Sequence, residues 1–136
     1  MTIDRFSGEY RFLSNFYPVA IVLDGEQYSS VEHAYQAAKT LDPLKRKRFL
    51  NISAPAAKRL GRSITLRPDW EDFKLDIMFN LLQRKFCNPE LRRKLKDTGD
   101  AILIEGNHWG DTFWGICKGD GYNMLGQMLM LVRDEI

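Results

Sequence analysis

The chain has 136 residues, 44% of them hydrophobic and 28% charged, the composition of a soluble globular domain rather than a disordered segment. No apolar run approaches the roughly 20 residues of a membrane span, and Met1 to Arg5 lack the basic start and apolar stretch of a secretory signal, so a cytoplasmic protein is expected. The net charge is only +2 but unevenly spread: residues 39–62 carry eight Lys/Arg against Asp42, residues 84–96 six against Glu90, and residues 97–136 seven acids against Lys118 and Arg133. Such basic blocks either attract phosphates and nucleic acid or are solvated helix faces. No aromatic residue interrupts Lys45-Arg46-Lys47-Arg48, so this run is no stacking platform for bases.

At roughly 100–200 residues per domain, residues 1–136 are expected to form one domain. Residues 3–6 predict a short strand. Residues 19–23, Asp24-Gly25 and residues 26–28 predict a hairpin with a two-residue turn. Ser29 to Glu32 fits a capping box for a helix running to Lys39 or Thr40. Asp42-Pro43 starts a second helix, and Ser53 caps a third that Gly61 can end. From Pro68, residues Trp70, Phe73, Ile77, Leu81 and Leu82 recur at helical spacing and predict a long, core-facing helix. Asn88-Pro89 opens a helix closed by Gly99. Residues 101–105 and 113–117 predict strands, and residues 123–133 a final amphipathic helix. The whole is an α+β fold: a compact, helix-rich domain with a small β-sheet.

Cys87 and Cys117 are thirty residues apart with no CxxC pair, which argues against a Cys/His zinc site and for two packing thiols in a reducing compartment. No metal or cofactor is expected. His33 and His108 read as structural histidines. Glu32, Gln36 and Lys39 fall at i, i+4 and i+7 beside Tyr35, so a carboxylate, an amide and an amine can share one helix face; alternatively, Glu32 serves only the cap and Lys39 is solvated. The run from Glu105 to Gly115 combines three glycines with Trp109, Phe113, Trp114 and Asp111. It suits either a pocket for a flat base or a tight turn whose aromatics plug the core. In Phe12-Leu13-Ser14-Asn15-Phe16-Tyr17-Pro18, Asn15 either bonds a ligand or fixes a loop.

That aromatic segment, followed by Asp24-Gly25 and by Tyr28-x-Ser30-Val31-Glu32-His33-Ala34-Tyr35-Gln36-Ala37-Ala38-Lys39, resembles the opening of the NADAR family, which includes YbiA-type N-glycosidases. The resemblance continues through Trp70, Lys74, Met78, Lys85-Phe86, Asn88-Pro89, Leu95, Thr98-Gly99 and Glu105. It ends in Trp109-Gly110-Asp111-x-Phe113-Trp114-Gly115 and Gly121-x-Asn123-x-Leu125-Gly126, covering nearly the whole chain. It implies cleavage of N-glycosidic bonds on ribosylated bases. ADP-ribosyl-guanine, free or in nucleic acid, is the first expectation. Early riboflavin-pathway intermediates carried on ribose 5-phosphate are the second, and a non-catalytic ADP-ribose or NAD-binding module is the third.

The resemblance points to Lys39 as essential. A neutral lysine can attack an opened sugar C1 to form a Schiff base, and a carboxylate can stabilise charge there or move protons. Lys39, Glu32 and Asp111 are therefore the expected catalytic residues. Asn15, Phe16, Tyr35, Gln36, Trp109 and Trp114 are the expected substrate-binding residues. The expected partner is a small nucleotide or ADP-ribosylated guanine, with ADP-ribosylated nucleic acid as its macromolecular form and no membrane partner.

Overall fold

The structure, a computed structural model, describes all residues Met1–Ile136. It falls into two compact units, one made of Met1–Ser14 and Phe86–Ile136, the other of Asn15–Lys85.

In the Asn15–Lys85 unit, β1 (Ile21–Leu23) and β2 (Glu26–Tyr28) pair antiparallel with Val22 opposite Gln27. Asp24 and Gly25 both take positive φ, 49° and 84°, as a two-residue type I′ turn requires. Four helices follow: α1 (Val31–Ala37), α2 (Pro43–Lys47), α3 (Ala54–Gly61) and α4 (Trp70–Lys85). Asp42 caps α2 by accepting the Leu44 N–H, and Ser53 caps α3 by accepting that of Ala56. Each cap satisfies an orphan donor of a first turn. α1 is buried along its whole length and packs on α2, α3, α4 and the hairpin.

The buried face of α4 differs from expectation. Trp70, Met78, Leu81, Leu82 and Lys85 point inward, whereas Phe73 is 45% exposed and Ile77 half-buried. Two apolar stripes compete on this helix, and the one through Met78 packs inward. Lys85 is fully buried, with its ammonium 5.9 Å from the Tyr17 ring centroid.

In the other unit, β3 (Thr2–Ile3) pairs parallel with β4 (Ile102–Leu103), and β5 (Gly106–Asn107) with β6 (Ile116–Cys117). The expected single small sheet is thus three separate two-stranded ladders, and the strands expected at 3–6, 101–105 and 113–117 are each cut to two residues. A 3₁₀ turn over Gly8–Leu13, unexpected from the sequence, buries Phe12 and Leu13. α5 (Pro89–Asp97) is capped by Asn88, and Gly99 ends it at φ 62°, the left-handed closure glycine favours. α6 (Met124–Asp134) packs on β4. Before it, Asn123 is held left-handed at φ 52° because its side chain accepts from Glu105 N–H and donates to the Leu103 carbonyl, both at 2.9 Å. Cys117 is buried, but Cys87, expected as a packing thiol, is exposed. No helix is long and apolar enough to cross a membrane.

Candidate active site on the first helix

The start of α1 decides what Glu32 can do. The expected capping box is displaced by one residue. Ser29 lies before the cap, its carbonyl accepting from Val19 N–H at 3.0 Å. Ser30 is the N-cap instead, its hydroxyl accepting from the His33 N–H at 3.2 Å. Glu32 is therefore the second residue of the helix, one short of the position from which it could reach back to the cap. Its backbone N–H donates to the Asn15 carbonyl at 3.0 Å, and its side chain turns inward and is 7% exposed. His33 is structural: Nε2 donates to the Ile52 carbonyl at 2.7 Å, and Nδ1 faces the Ser30 hydroxyl at 2.6 Å. His108 is exposed.

One turn on, Gln36 donates from Nε2 to Glu32 Oε1 at 2.9 Å, a buried bond. The i, i+4 relation read from the sequence is thus made. Lys39 lies past the end of α1, for which Ala38 is the C-cap. Its N–H still reaches the Gln36 carbonyl at 3.2 Å, and its own carbonyl accepts from Arg67 N–H at 2.7 Å. Its backbone is fixed although it lies outside the helix, and its ammonium is 6.0 Å from the Tyr35 ring centroid. Tyr35 in turn leans on Trp70, ring centroids 5.1 Å apart at 55°. Phe16 lies under Lys58, whose nitrogen is 5.9 Å from that ring centroid. Asn15 donates to Met78 Sδ at 3.6 Å, leaving its buried Oδ1 without a hydrogen-bond partner.

Electrostatics push both ionisable groups toward neutrality. Burial raises the Glu32 pKa, and this outweighs the opposing Gln36 hydrogen bond and the nearby charges of Lys58, Lys39 and His33. Burial lowers the Lys39 pKa, and the Arg62 charge adds to that, while Glu32 works against it. A carboxyl that holds its proton and an amine that sheds one are the two states general-acid and nucleophilic chemistry need.

α3 supplies the facing wall. Gly61, read from the sequence as a helix terminator, is the last residue of α3 and is also a contact residue. A Cβ there would lie 1.8 Å from Gln36 Oε1, so any larger residue at this position would force the Gln36 amide to move. The unpaired Gln36 Oε1 faces that backbone. Lys58, Arg62 and Trp70 were legible only as members of a basic block and of an apolar stripe. The i, i+4 spacing of Lys58 and Arg62 was the available signal that they share a face.

Asp111, Trp109 and Trp114 belong to the other unit. There Asp111 shapes its own loop, with Oδ1 accepting from the Phe113 and Trp114 N–H groups at 3.1 and 2.9 Å. Asn107 brackets the same residue, accepting from Asp111 N–H at 3.0 Å and donating to its carbonyl at 2.8 Å. Trp114 is half-buried, edge-on to Phe113 with centroids 4.9 Å apart. Trp109 is 54% exposed on the rim of a 520 Å³ cleft that Arg5, Glu105, His108 and Lys118 also line. No group of three or more His, Cys, Asp or Glu side chains is placed to hold a metal ion.

A buried acid bonded to an amide, and an amine beside an aromatic ring, thus lie on one helix and its C-terminal end. The sequence comparisons give the family. The NADAR domain profile matches residues 4–136, and the chain belongs to the NADAR domain family.

The chain is 38% identical over 135 residues to N-glycosidase YbiA of Escherichia coli (strain K12), covering 96% of this chain and 84% of that protein. It is 40% identical over 131 residues to riboflavin biosynthesis protein VVA0006 of Vibrio vulnificus (strain YJ016), covering 92% of this chain but only 35% of that longer protein. The NMR structure of the E. coli protein YbiA superposes with a TM-score of 0.85 at 36% identity, covering 99% of this chain and 83% of that one. The α+β fold is therefore a family property.

Proposed function

We propose that this protein is an N-glycosidase that cleaves the bond between a ribosyl C1 and an amine-bearing base, and that residues 1–136 act as one NADAR domain. The observation that carries this reading is the Glu32–Gln36–Lys39 arrangement, in which burial turns a carboxyl and an amine toward their neutral, reactive forms. N-glycosidase is also the activity in the YbiA name.

In the proposed reaction, Glu32 gives its proton to the ribose ring oxygen as the ring opens, leaving C1 doubly bonded to the base nitrogen. The Lys39 lone pair adds to C1. The base nitrogen then leaves with its bonding electrons and takes a proton, so C1 becomes a Schiff base with Nζ. One water hydrolyses that Schiff base, freeing the sugar aldehyde and restoring Lys39 and Glu32. The net change is one water consumed, one amine and one sugar released. Tyr35, Gln36, Asn15 and Phe16 would position the sugar. Asp111 is a further proposed catalytic residue, and Trp109 and Trp114 are further proposed substrate contacts.

For the substrate, the name of the V. vulnificus relative favours a riboflavin-pathway ribosylamine phosphate over ADP-ribosyl-guanine, the first expectation from sequence. A panel offering both, read by mass spectrometry of the released amine, tests the proposal. Release of either amine supports the N-glycosidase reading, and release of neither overturns it in favour of a binding module.

A further inference from the structure

Asp111 is held from two sides. On its side chain, the Phe113 and Trp114 N–H bonds both end on Oδ1 and none ends on Oδ2. The carboxyl group cannot turn without breaking that pair, so Oδ2 is the oxygen left to meet a ligand. On its main chain, Asn107 accepts from the Asp111 N–H at 3.0 Å and donates to the Asp111 carbonyl at 2.8 Å. The same Nδ2 lies 3.3 Å from the Ile116 carbonyl and 3.4 Å from that of Glu105. One side-chain amide thus ties Asp111 to β5, which contains Asn107, and to β6, which begins at Ile116.

The place asks for an amide, because the group there must accept and donate at once. Gly115 keeps the amide clamped: a Cβ there would lie 2.7 Å from Asn107 Nδ2 and 2.2 Å from the Glu105 carbonyl oxygen. The three residues between Asn107 and Asp111 are all exposed, and Gly110 among them sits at φ 90°. Such a segment has little packing of its own to fix where Asp111 falls.

We propose that Asn107 is a positioning residue for the reaction: it fixes the Asp111 main chain so that Oδ2 meets the substrate at one set place, while Asn107 itself touches no substrate. This rests on the N-glycosidase reading and on Asp111 as one of its catalytic residues. Misplacing a catalytic group by about 1 Å can cost on the order of 100-fold in rate, so losing the clamp shows in kcat rather than in binding.

The test is steady-state kinetics of the full chain on ADP-ribosyl-guanine and on a ribosylamine 5-phosphate, read as released amine. Rates are taken per folded chain, with the folded fraction from near-UV circular dichroism, so that mere destabilisation does not count. Asn107→Ala should lower kcat by about tenfold to 100-fold and change KM by less than about twofold. Asp111→Asn keeps an oxygen for the Phe113 and Trp114 N–H groups and supplies the second arm. In that background Asn107→Ala should cost less than about twofold in kcat, because the group it positions is already impaired. If Asn107→Ala does not fold, Asn107→Ser goes through the same cycle, and if Asp111→Asn is too slow to measure, the split between kcat and KM decides alone. An unchanged kcat, a loss carried by KM, losses that multiply, or full activity in Asp111→Asn each overturn the proposal. Any of these with an active wild type leaves the N-glycosidase reading standing, whereas a wild type that releases no amine from either substrate overturns both.

Discussion

Gly61→Ala is the sharpest test of how the site is built, because its sign runs against local propensity. Gly61 is the last residue of α3, and in a helix interior alanine should gain roughly 0.5–1 kcal/mol over glycine. Here its Cβ would lie 1.8 Å from Gln36 Oε1, 2.6 Å from Cδ and 3.2 Å from Cβ. The amide can swing away only by abandoning its buried bond to Glu32, a loss of about 1.5–3 kcal/mol for a bond to an acid. The Gln36 Cβ cannot swing, so the two helices must also part slightly, and overpacking of this kind costs about 1–3 kcal/mol. Net destabilisation of about 2–5 kcal/mol is expected in urea unfolding. Combining the change with Gln36→Ala should relieve most of the clash, giving a coupling energy of about 1–3 kcal/mol in a double-mutant cycle. A Gly61→Ala protein as stable as wild type, or a strictly additive cycle, would refute the claim that a larger residue at position 61 forces the Gln36 amide to move.

Three further outcomes are expected. Lys39→Ala should abolish measurable turnover while calorimetric binding of ADP-ribose largely survives; wild-type activity would end the assignment of Lys39 as nucleophile. Glu32→Gln should lose activity yet flatten the pH dependence of stability. The folded protein holds the Glu32 proton more tightly than the unfolded chain. Its contribution is therefore fully present below the ordinary carboxyl pKa of about 4.5 and is lost as pH rises toward the raised value. The glutamine variant should lack that decline, and an unchanged stability–pH curve from thermal denaturation would contradict the buried-acid account. EDTA should leave activity intact, and a loss restored by a divalent ion would require a metal the proposed chemistry does not use.

Local signals in the sequence carried the helices well. The Asp42, Ser53 and Asn88 caps, the Asp24-Gly25 turn and Gly99 are governed by neighbours within a few residues, and each is found where expected. The strands were over-read because a two-residue ladder has no alternation to detect: apolar runs such as 101–105 extend well past the paired residues Ile102 and Leu103. The α4 stripe failed because Phe73 and Met78 offered competing faces, and tertiary packing chose between them. In the candidate site, the Glu32–Gln36 bond followed from helical spacing. The one-residue shift of the cap, which frees Glu32 to turn inward, depends on where the chain stops being extended. The parts contributed by α3 were hidden because Lys58 and Arg62 looked like any solvated pair and Gly61 like any terminator. Their meaning depends on the long-range contact with Gln36.

Sodium borohydride trapping during turnover tests the central claim most directly. With a ribosylamine substrate present, the account predicts one reduced sugar adduct per chain, mapped by peptide mass spectrometry to Lys39 and absent from Lys39→Ala. Amine release at the full rate with no adduct on Lys39, or with the adduct on another lysine, would contradict it.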